Sequence, residues 1–307
     1  MATVSDQTGT VSFIHEVLAG KEAQTWYRIL GDLTPNSRPL IAAHGGPGSS
    51  HDYFLNPLAS FPKETGRPVV LYDQVGNGKS THFTGEEQPQ WPVALFTAEL
   101  DNLVTKLNIQ EFDFLGHSWG GMMGLEYVLA YQPKGLKHLI LDSVPASVQL
   151  WTKNIKETLS ELGPDEKELA IELDATQQYQ DERLQAIMKK VQDKHVCRLD
   201  PWPEAAQGFF GVIFANPVVY GSMLGPSQFE TLGQLKGWSV VGRCKGIKIP
   251  TLVLHGEYDW ADQAAVQPLL DEIESSQQVT LKGCSHMCHL EDTEEFTKQV
   301  LKFLDTK

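Results

Sequence analysis

Short apolar runs alternate with amphipathic runs along most of the chain. Two strand-like runs open it, Val11 to Leu18 and Ala23 to Leu30, and Gly20-Lys21-Glu22 between them predicts a hairpin. Pro39 to Ala43 and Pro68 to Tyr72 are continuous apolar runs that predict buried strands, and each empties into a glycine-rich loop. Phe96, Leu100, Leu103, Val104 and Leu107 keep helical spacing. Phe112 to Leu115 then predicts a strand, Gly121 to Ala130 a helix and Leu136 to Leu141 another strand. The alternation returns late in the chain. A strand is predicted at Ile249 to His255, a helix through Val266, Leu269, Leu270 and Ile273, and a short strand at Gln278 to Leu281. A closing helix runs through Phe296, Val300, Phe303 and Leu304, with Asp292 at its N-cap. Strands alternating with helices imply a mostly parallel sheet with helices on its faces, an α/β architecture.

Between about residues 146 and 242 this alternation stops. Residues 151–198 are charged and helical in character, and residues 200–242 are rich in Trp, Phe, Pro and Gly. The expected organisation is an α/β core from residues 1–145 and 243–307, with 146–242 inserted as a mostly helical cap over the active site. Phe209, Phe214, Tyr220 and Phe229 of that cap are expected to shape an apolar pocket.

The chemistry centres on Gly116-His117-Ser118-Trp119-Gly120. It fits Gly-x-Ser-x-Gly and falls between a predicted strand and a predicted helix, the context that gives this motif its meaning. Small residues permit a tight turn that lifts the Ser118 hydroxyl clear of the chain. The N–H of Trp119 sits at a helix N-terminus, suited to an oxyanion. A serine hydroxyl needs a base, and the base needs an orienting acid. Asp259 and His286 each follow a predicted strand, in the order Ser, Asp, His along the chain. Glu257 and Asp262 are the rival acids, and His289 is the rival base. His44, His117 and His255 stand at strand ends and read as packing or bracing residues. His44-Gly45-Gly46-Pro47-Gly48 ends a strand where a second oxyanion donor is expected, from Gly45 or Gly46.

Composition narrows the partners. The chain has 25 Lys and Arg against 39 Asp and Glu, a net charge of −14. That argues against nucleic acid and anionic membrane as partners. No run approaches a membrane span, and the opening residues lack the pattern of a signal peptide. Four cysteines in 307 residues make no disulfide framework, so a reducing, cytoplasmic setting is expected. The spacing of Cys284, His286, Cys288 and His289 matches no common zinc pattern, and no metal or cofactor is expected. Gly76-Asn77-Gly78-Lys79-Ser80 ends like a phosphate-binding loop, but position 73 is Asp where that loop needs Gly. The sequence sets no oligomeric state.

Taken together, His44-Gly-Gly-Pro-Gly48, Asp73-Gln74-x-Gly76-x-Gly78-x-Ser80, Gly116-His-Ser-Trp-Gly-Gly121, Gly256-Glu-Tyr-Asp259 and Ser285-His286 resemble the proline iminopeptidase family of α/β-hydrolases. Tyr220 and Gly225-Pro226-Ser227-Gln228-Phe229 resemble its cap, so the likeness runs from about residue 10 to the C-terminus. The resemblance implies an eight-stranded sheet, a helical cap and hydrolysis of peptides or amides at a free N-terminal residue. It also implies Ser118 as nucleophile, Asp259 as orienting acid and His286 as base. The chain departs from the pattern at two places. Relatives that trim N-terminal residues commonly hold the substrate ammonium with carboxylates where this chain has Gln228 and Trp260. The reading is a serine hydrolase acting on small peptides, amino-acid amides or esters, with amide cleavage first. An esterase, thioesterase or lactone hydrolase on an apolar molecule is the alternative. A ligand-binding receptor on the same scaffold is the third reading, which an intact triad disfavours.

Overall fold

Residues 4–305, apart from 84, 86, 87 and 228, are described by a computed structural model. Its strands are β1 (Asp6–Ile14), β2 (Glu22–Leu30), β3 (Leu40–Ala43), β4 (Val69–Tyr72), β5 (Phe112–His117), β6 (Leu136–Asp142), β7 (Thr251–Gly256) and β8 (Ser276–Leu281). They form one eight-stranded sheet in the order β1-β2-β4-β3-β5-β6-β7-β8. β1 and β2 pair antiparallel, and β2 meets β4 antiparallel; every other pairing is parallel.

The strands alternate sides as their period of two requires. Ile41, Ala43, Val70, Tyr72, Phe114, Leu139, Leu141 and Val253 bury on one face. Leu40, Ala42, Val69, Leu71, Leu115, Ile140, Leu252 and Leu254 bury on the other. Short helices α1 (Leu55–Leu58) and α2 (Phe61–Thr65) lie between β3 and β4, a stretch with no predicted element. Helices α3 (Val93–Lys106) and α4 (Trp119–Tyr131) follow β4 and β5. Between β6 and β7 come α5 (Val148–Thr158), α6 (Pro164–Ala175), α7 (Glu182–His195), α8 (Glu204–Ala215) and α9 (Val218–Met223). The chain closes with α10 (Gln263–Glu272), α11 (Cys288–Glu291) and α12 (Thr293–Leu304). Asp292 does cap α12, its side chain accepting the N–H of Glu295. None of the described helices is long and apolar enough to cross a membrane.

One element differs from the sequence expectation at the start of the chain. β1 ends at Ile14, and Glu16–Leu18 form a 3-10 turn rather than the end of a strand. The His15 side chain accepts the N–H of Val17, and Leu18 drops into the core, so the apolar pattern continues while the strand stops.

Glu99 on α3 is fully buried against the sheet. It meets Thr25 Oγ1 at 2.5 Å and accepts the N–H of Val75 at 2.9 Å. Burial pushes its carboxyl up to about 8, against the lowering effect of those two partners. The folded protein therefore keeps this proton where the unfolded chain, near 4.5, has lost it. Stability must fall as pH rises through that window. Glu99→Gln keeps one acceptor oxygen for Thr25 and Val75 and removes the titration. Its melting temperature should gain on the native protein's between about pH 5 and 8. Parallel curves across that range would show that Glu99 titrates normally.

Candidate active site

β5 ends at His117 and α4 begins at Trp119, so Ser118 alone makes the turn. It does so at φ 52°, ψ −120°, backbone that a side-chain-bearing residue adopts only when its surroundings hold it there. Close packing holds it. A Cβ on Gly120 would stand 2.2 Å from the carbonyl oxygen of Ala43, and one on Gly116 would stand 2.5 Å from the Cα of Gly121. Only glycine lets α4 approach β3 and β5 this closely. As a first-turn residue, Trp119 has no acceptor within the helix for its N–H. Its indole donates instead to Gln74 Oε1 at 2.7 Å.

β3 and β5 are neighbours in the sheet; the chain goes from β3 to β4 on one side of it and then crosses to β5 on the other. Their carboxyl ends therefore open a crevice where α/β sheets build sites. Gly46, just beyond β3, lines the same cavity as Ser118. Gly45 is spent elsewhere: its N–H donates to the Tyr53 hydroxyl at 2.8 Å. Of the two alternative donors, Gly46 is the one whose N–H has no partner among the described residues.

The glycine-rich loop after β4 braces this crevice. Asp73 Oδ1 accepts the N–H of His51, and Oδ2 accepts the N–H of Lys79. Gln74 donates its backbone N–H to His44 Nε2 and its side-chain amide to the His44 carbonyl. His44 is thus a bracing residue, with Nδ1–H donating to the Gly45 carbonyl at 2.9 Å. Asp73-Gln74-x-Gly76-x-Gly78-x-Ser80 earns its place structurally, and no phosphate site is needed to explain it.

Asp259 follows β7 and His286 follows β8. His286 Nδ1 lies 2.8 Å from Asp259 Oδ1, which also accepts the N–H of Ala261 at 2.9 Å. With Nδ1 turned to the acid, Nε2 is the ring nitrogen left for other work. Burial pulls the His286 imidazole down, but the charge and hydrogen bond of Asp259 outweigh it and hold it above its ordinary value. Burial likewise pushes Asp259 up, and His286 with the Ala261 N–H brings it below the usual range. The Trp151 ring stacks over His286 at 6.2 Å between centroids.

The rivals are otherwise employed. Glu257 is exposed and accepts the N–H of Gly283. Asp262 caps α10 and holds Asn154. His289 is fully buried, with Nδ1 2.9 Å from Asp142 Oδ2. His255 contacts Gln278 and Thr280. Among the described residues, the ligand-bearing group that comes together is His117, Asp142 and His289, not the Cys/His run seen in sequence. Both His117 nitrogens are occupied there, Nδ1 by Tyr53 at 3.0 Å and Nε2 by the His286 carbonyl at 3.0 Å.

Ser118, His286, Trp151, Phe209, Tyr220, Phe229 and Trp260 line a cavity of about 100 Å³. Phe214 does not belong to it. It is 74% exposed and stacks on Phe210. It stands five residues beyond Phe209 on α8, about 140° around the helix, and so faces outward. Gln228 lies outside the described residues. Glu230, unremarked in sequence, is the one carboxylate among the lining residues described, and it is paired with Lys156.

A family profile described as alpha/beta hydrolase fold matches residues 38–293. A proline iminopeptidase from Lactobacillus delbrueckii subsp. lactis is 30% identical over 281 residues, 92% of this chain and 94% of that one. The crystal structure of a proline iminopeptidase from Mycobacterium smegmatis matches with a TM-score of 0.85 at 34% identity, covering 96% of this chain and 97% of that one. The chain belongs to the proline iminopeptidase family of α/β-hydrolases. It is a hydrolase. The crystal structure of VinJ is also similar, with a TM-score of 0.88 at 38% identity over 97% of this chain and 98% of that one.

For this proline iminopeptidase relative, the Gly45–Tyr53–His117–His286 contacts form one continuous run of hydrogen bonds. Tyr53→Phe would leave two buried polar groups unpaired, the Gly45 N–H and His117 Nδ1. The expected cost is about 1–3 kcal/mol, read as a lower urea midpoint at unchanged slope. An unmoved midpoint would mean that the run contributes nothing to stability.

Proposed function

We propose that the chain is a serine hydrolase that cleaves amide or peptide bonds of small substrates through an acyl-enzyme. The observation that carries this is the pairing of His286 with Asp259 on the cavity that Ser118 also lines. In the proposed first step Ser118 Oγ attacks the carbonyl carbon and its proton passes to His286 Nε2. The carbonyl oxygen takes the negative charge and is met by the N–H groups of Trp119 and Gly46. The amine then leaves with the proton from His286, and water repeats the sequence to release the acid. Residues 146–242 serve as the cap, with Phe209, Tyr220, Phe229 and Trp260 forming the apolar wall.

The proposal is tested with a fluorophosphonate probe and a panel of amino-acid anilides and acyl esters. Ser118→Ala should lose labelling and several orders of magnitude in kcat while staying folded. Near-normal turnover by the purified variant would end the serine mechanism. Since His286 must be neutral to act as base, kcat/KM should rise with pH through an apparent pKa above the ordinary 6.5. A limb below that value would show that Asp259 does not support the imidazole.

The apolar wall favours a second feature of the reading. Trp260 offers no charge, and Glu230 is half-exposed and already neutralised by Lys156. A substrate ammonium leaving water costs several kcal/mol and needs a paired anion to recover it. A ring face returns only about 0.5–2 kcal/mol. N-acetylated prolyl anilide should therefore be cleaved at least as well as the free amine. A hundredfold preference for the free amine would show that an acid receives the ammonium.

A further inference from the structure

The inner cavity beside Ser118 measures about 100 Å³. Next to it, past Thr152, Glu230 and Thr231, lies an open groove of about 770 Å³. Those three residues line both spaces, so a molecule held at Ser118 continues into the groove. Its walls come from α5, α6 and the segment after α9, and they carry Lys153, Lys156, Lys167 and Lys236.

This placement runs against the rest of the molecule, whose net charge is −14. Among the described residues, the only acids on the groove are Glu157 and Glu230, and each is paired, with Lys153 and Lys156 respectively. Lys167 and Lys236 are exposed and make no ion pair among the described residues. Two exposed lysines without an ion pair among the described residues thus stand at the mouth of an apolar pocket, on a protein of net charge −14.

We propose that the groove is a binding subsite for a carboxylate at the far end of the substrate, held by Lys167 and Lys236. The inference rests on the hydrolase reading above and adds to it. The bond to be cut sits beside neutral, apolar surface, while the distal end of the molecule carries the negative charge. A short peptide with a free C-terminus has that distribution. The acid end attracts and aligns the substrate without entering the chemistry, so it acts on KM rather than kcat.

The test uses the native protein and the best amino-acid anilide from the panel. Peptides beginning with the same residue and extended by two or three glycines are compared as free acids and as C-terminal carboxamides. Free acids should exceed carboxamides about fivefold in kcat/KM at low salt, through KM, as exposed charge pairs allow. The gap should close at about 0.5 M NaCl. It should also close in the Lys167→Gln/Lys236→Gln variant, which should turn over the anilide unchanged. Equal rates for acids and carboxamides would overturn the subsite, as would a gap that survives in the variant or cleavage of the anilide but of neither peptide. Absence of turnover with anilides and esters alike would remove the hydrolase reading itself, a separate failure.

Discussion

A buried run of hydrogen bonds with a fixed direction ties the loops of the site together. The Gly45 N–H can only donate, and the His286 carbonyl can only accept. Tyr53 must therefore accept from Gly45 and donate to His117 Nδ1, which leaves Nε2–H to donate to His286. A charged His117 would have no lone pair for Tyr53 and would break the run. Burial, followed by the nearby His289 and His286, drives its pKa well below the ordinary value, so the neutral form the geometry needs is the one it favours. His117 precedes Ser118 directly. The loop after β3, the turn after β5 and the loop after β8 are thus fixed to one another through two side chains.

What was legible in sequence divides along physical lines. Runs of apolar residues report burial, and the mostly parallel pairing after β3 follows from alternation with helices. The Ser118 turn is legible because its packing admits only glycine at 116 and 120, leaving a signature. Asp259 and His286 stand out in sequence by order and by their place after strands, and their side chains meet at 2.8 Å. Tyr53 was not, because its role depends on a contact 64 residues away with His117. Glu230 was missed because a charged residue in an aromatic stretch looks like solvated surface. Phe214 was misplaced because composition marks a segment as aromatic without saying which side of a helix faces inward. The 3-10 turn at Glu16–Leu18 was read as strand because a buried Leu18 satisfies either pattern.

The two imidazole–carboxylate pairs show why sequence distance is a poor guide to role. His286 pairs with Asp259 and His289 with Asp142; the two histidines stand three residues apart, one just before α11 and one in it, and both pairs are buried. His286 reaches the cavity that holds Ser118. His289 is sealed between Tyr53, Phe54, His117 and Phe296. Removing one partner of such a sealed pair leaves a buried polar group without its close polar neighbour, at a cost of about 1–3 kcal/mol. The inner pair consequently supports the loop, and its substitution would be read first in stability. Its Asp142 also adds to the charge that raises His286, after Asp259.

The distribution of charge around the cavity then bears on what distinguishes this chain from relatives that trim N-termini. A carboxylate placed beside the scissile bond selects an ammonium but must be desolvated whenever the cap closes over it. Trp260 gives this wall an apolar ring, which packs against His195 at 6.1 Å. His195 in turn bonds the Tyr258 carbonyl and accepts the N–H of His286 on its own backbone carbonyl. The end of α7 is thereby joined to the loop that carries the proposed base. A carboxylate in place of Trp260 would lose that stacking and add a desolvated charge beside Asp259, which would compete for the same imidazole. Retaining the aromatic ring keeps the pairing of Asp259 and His286 unopposed, and in the proposed reading recognition of substrate charge falls to the wetter groove outside, where desolvation costs least.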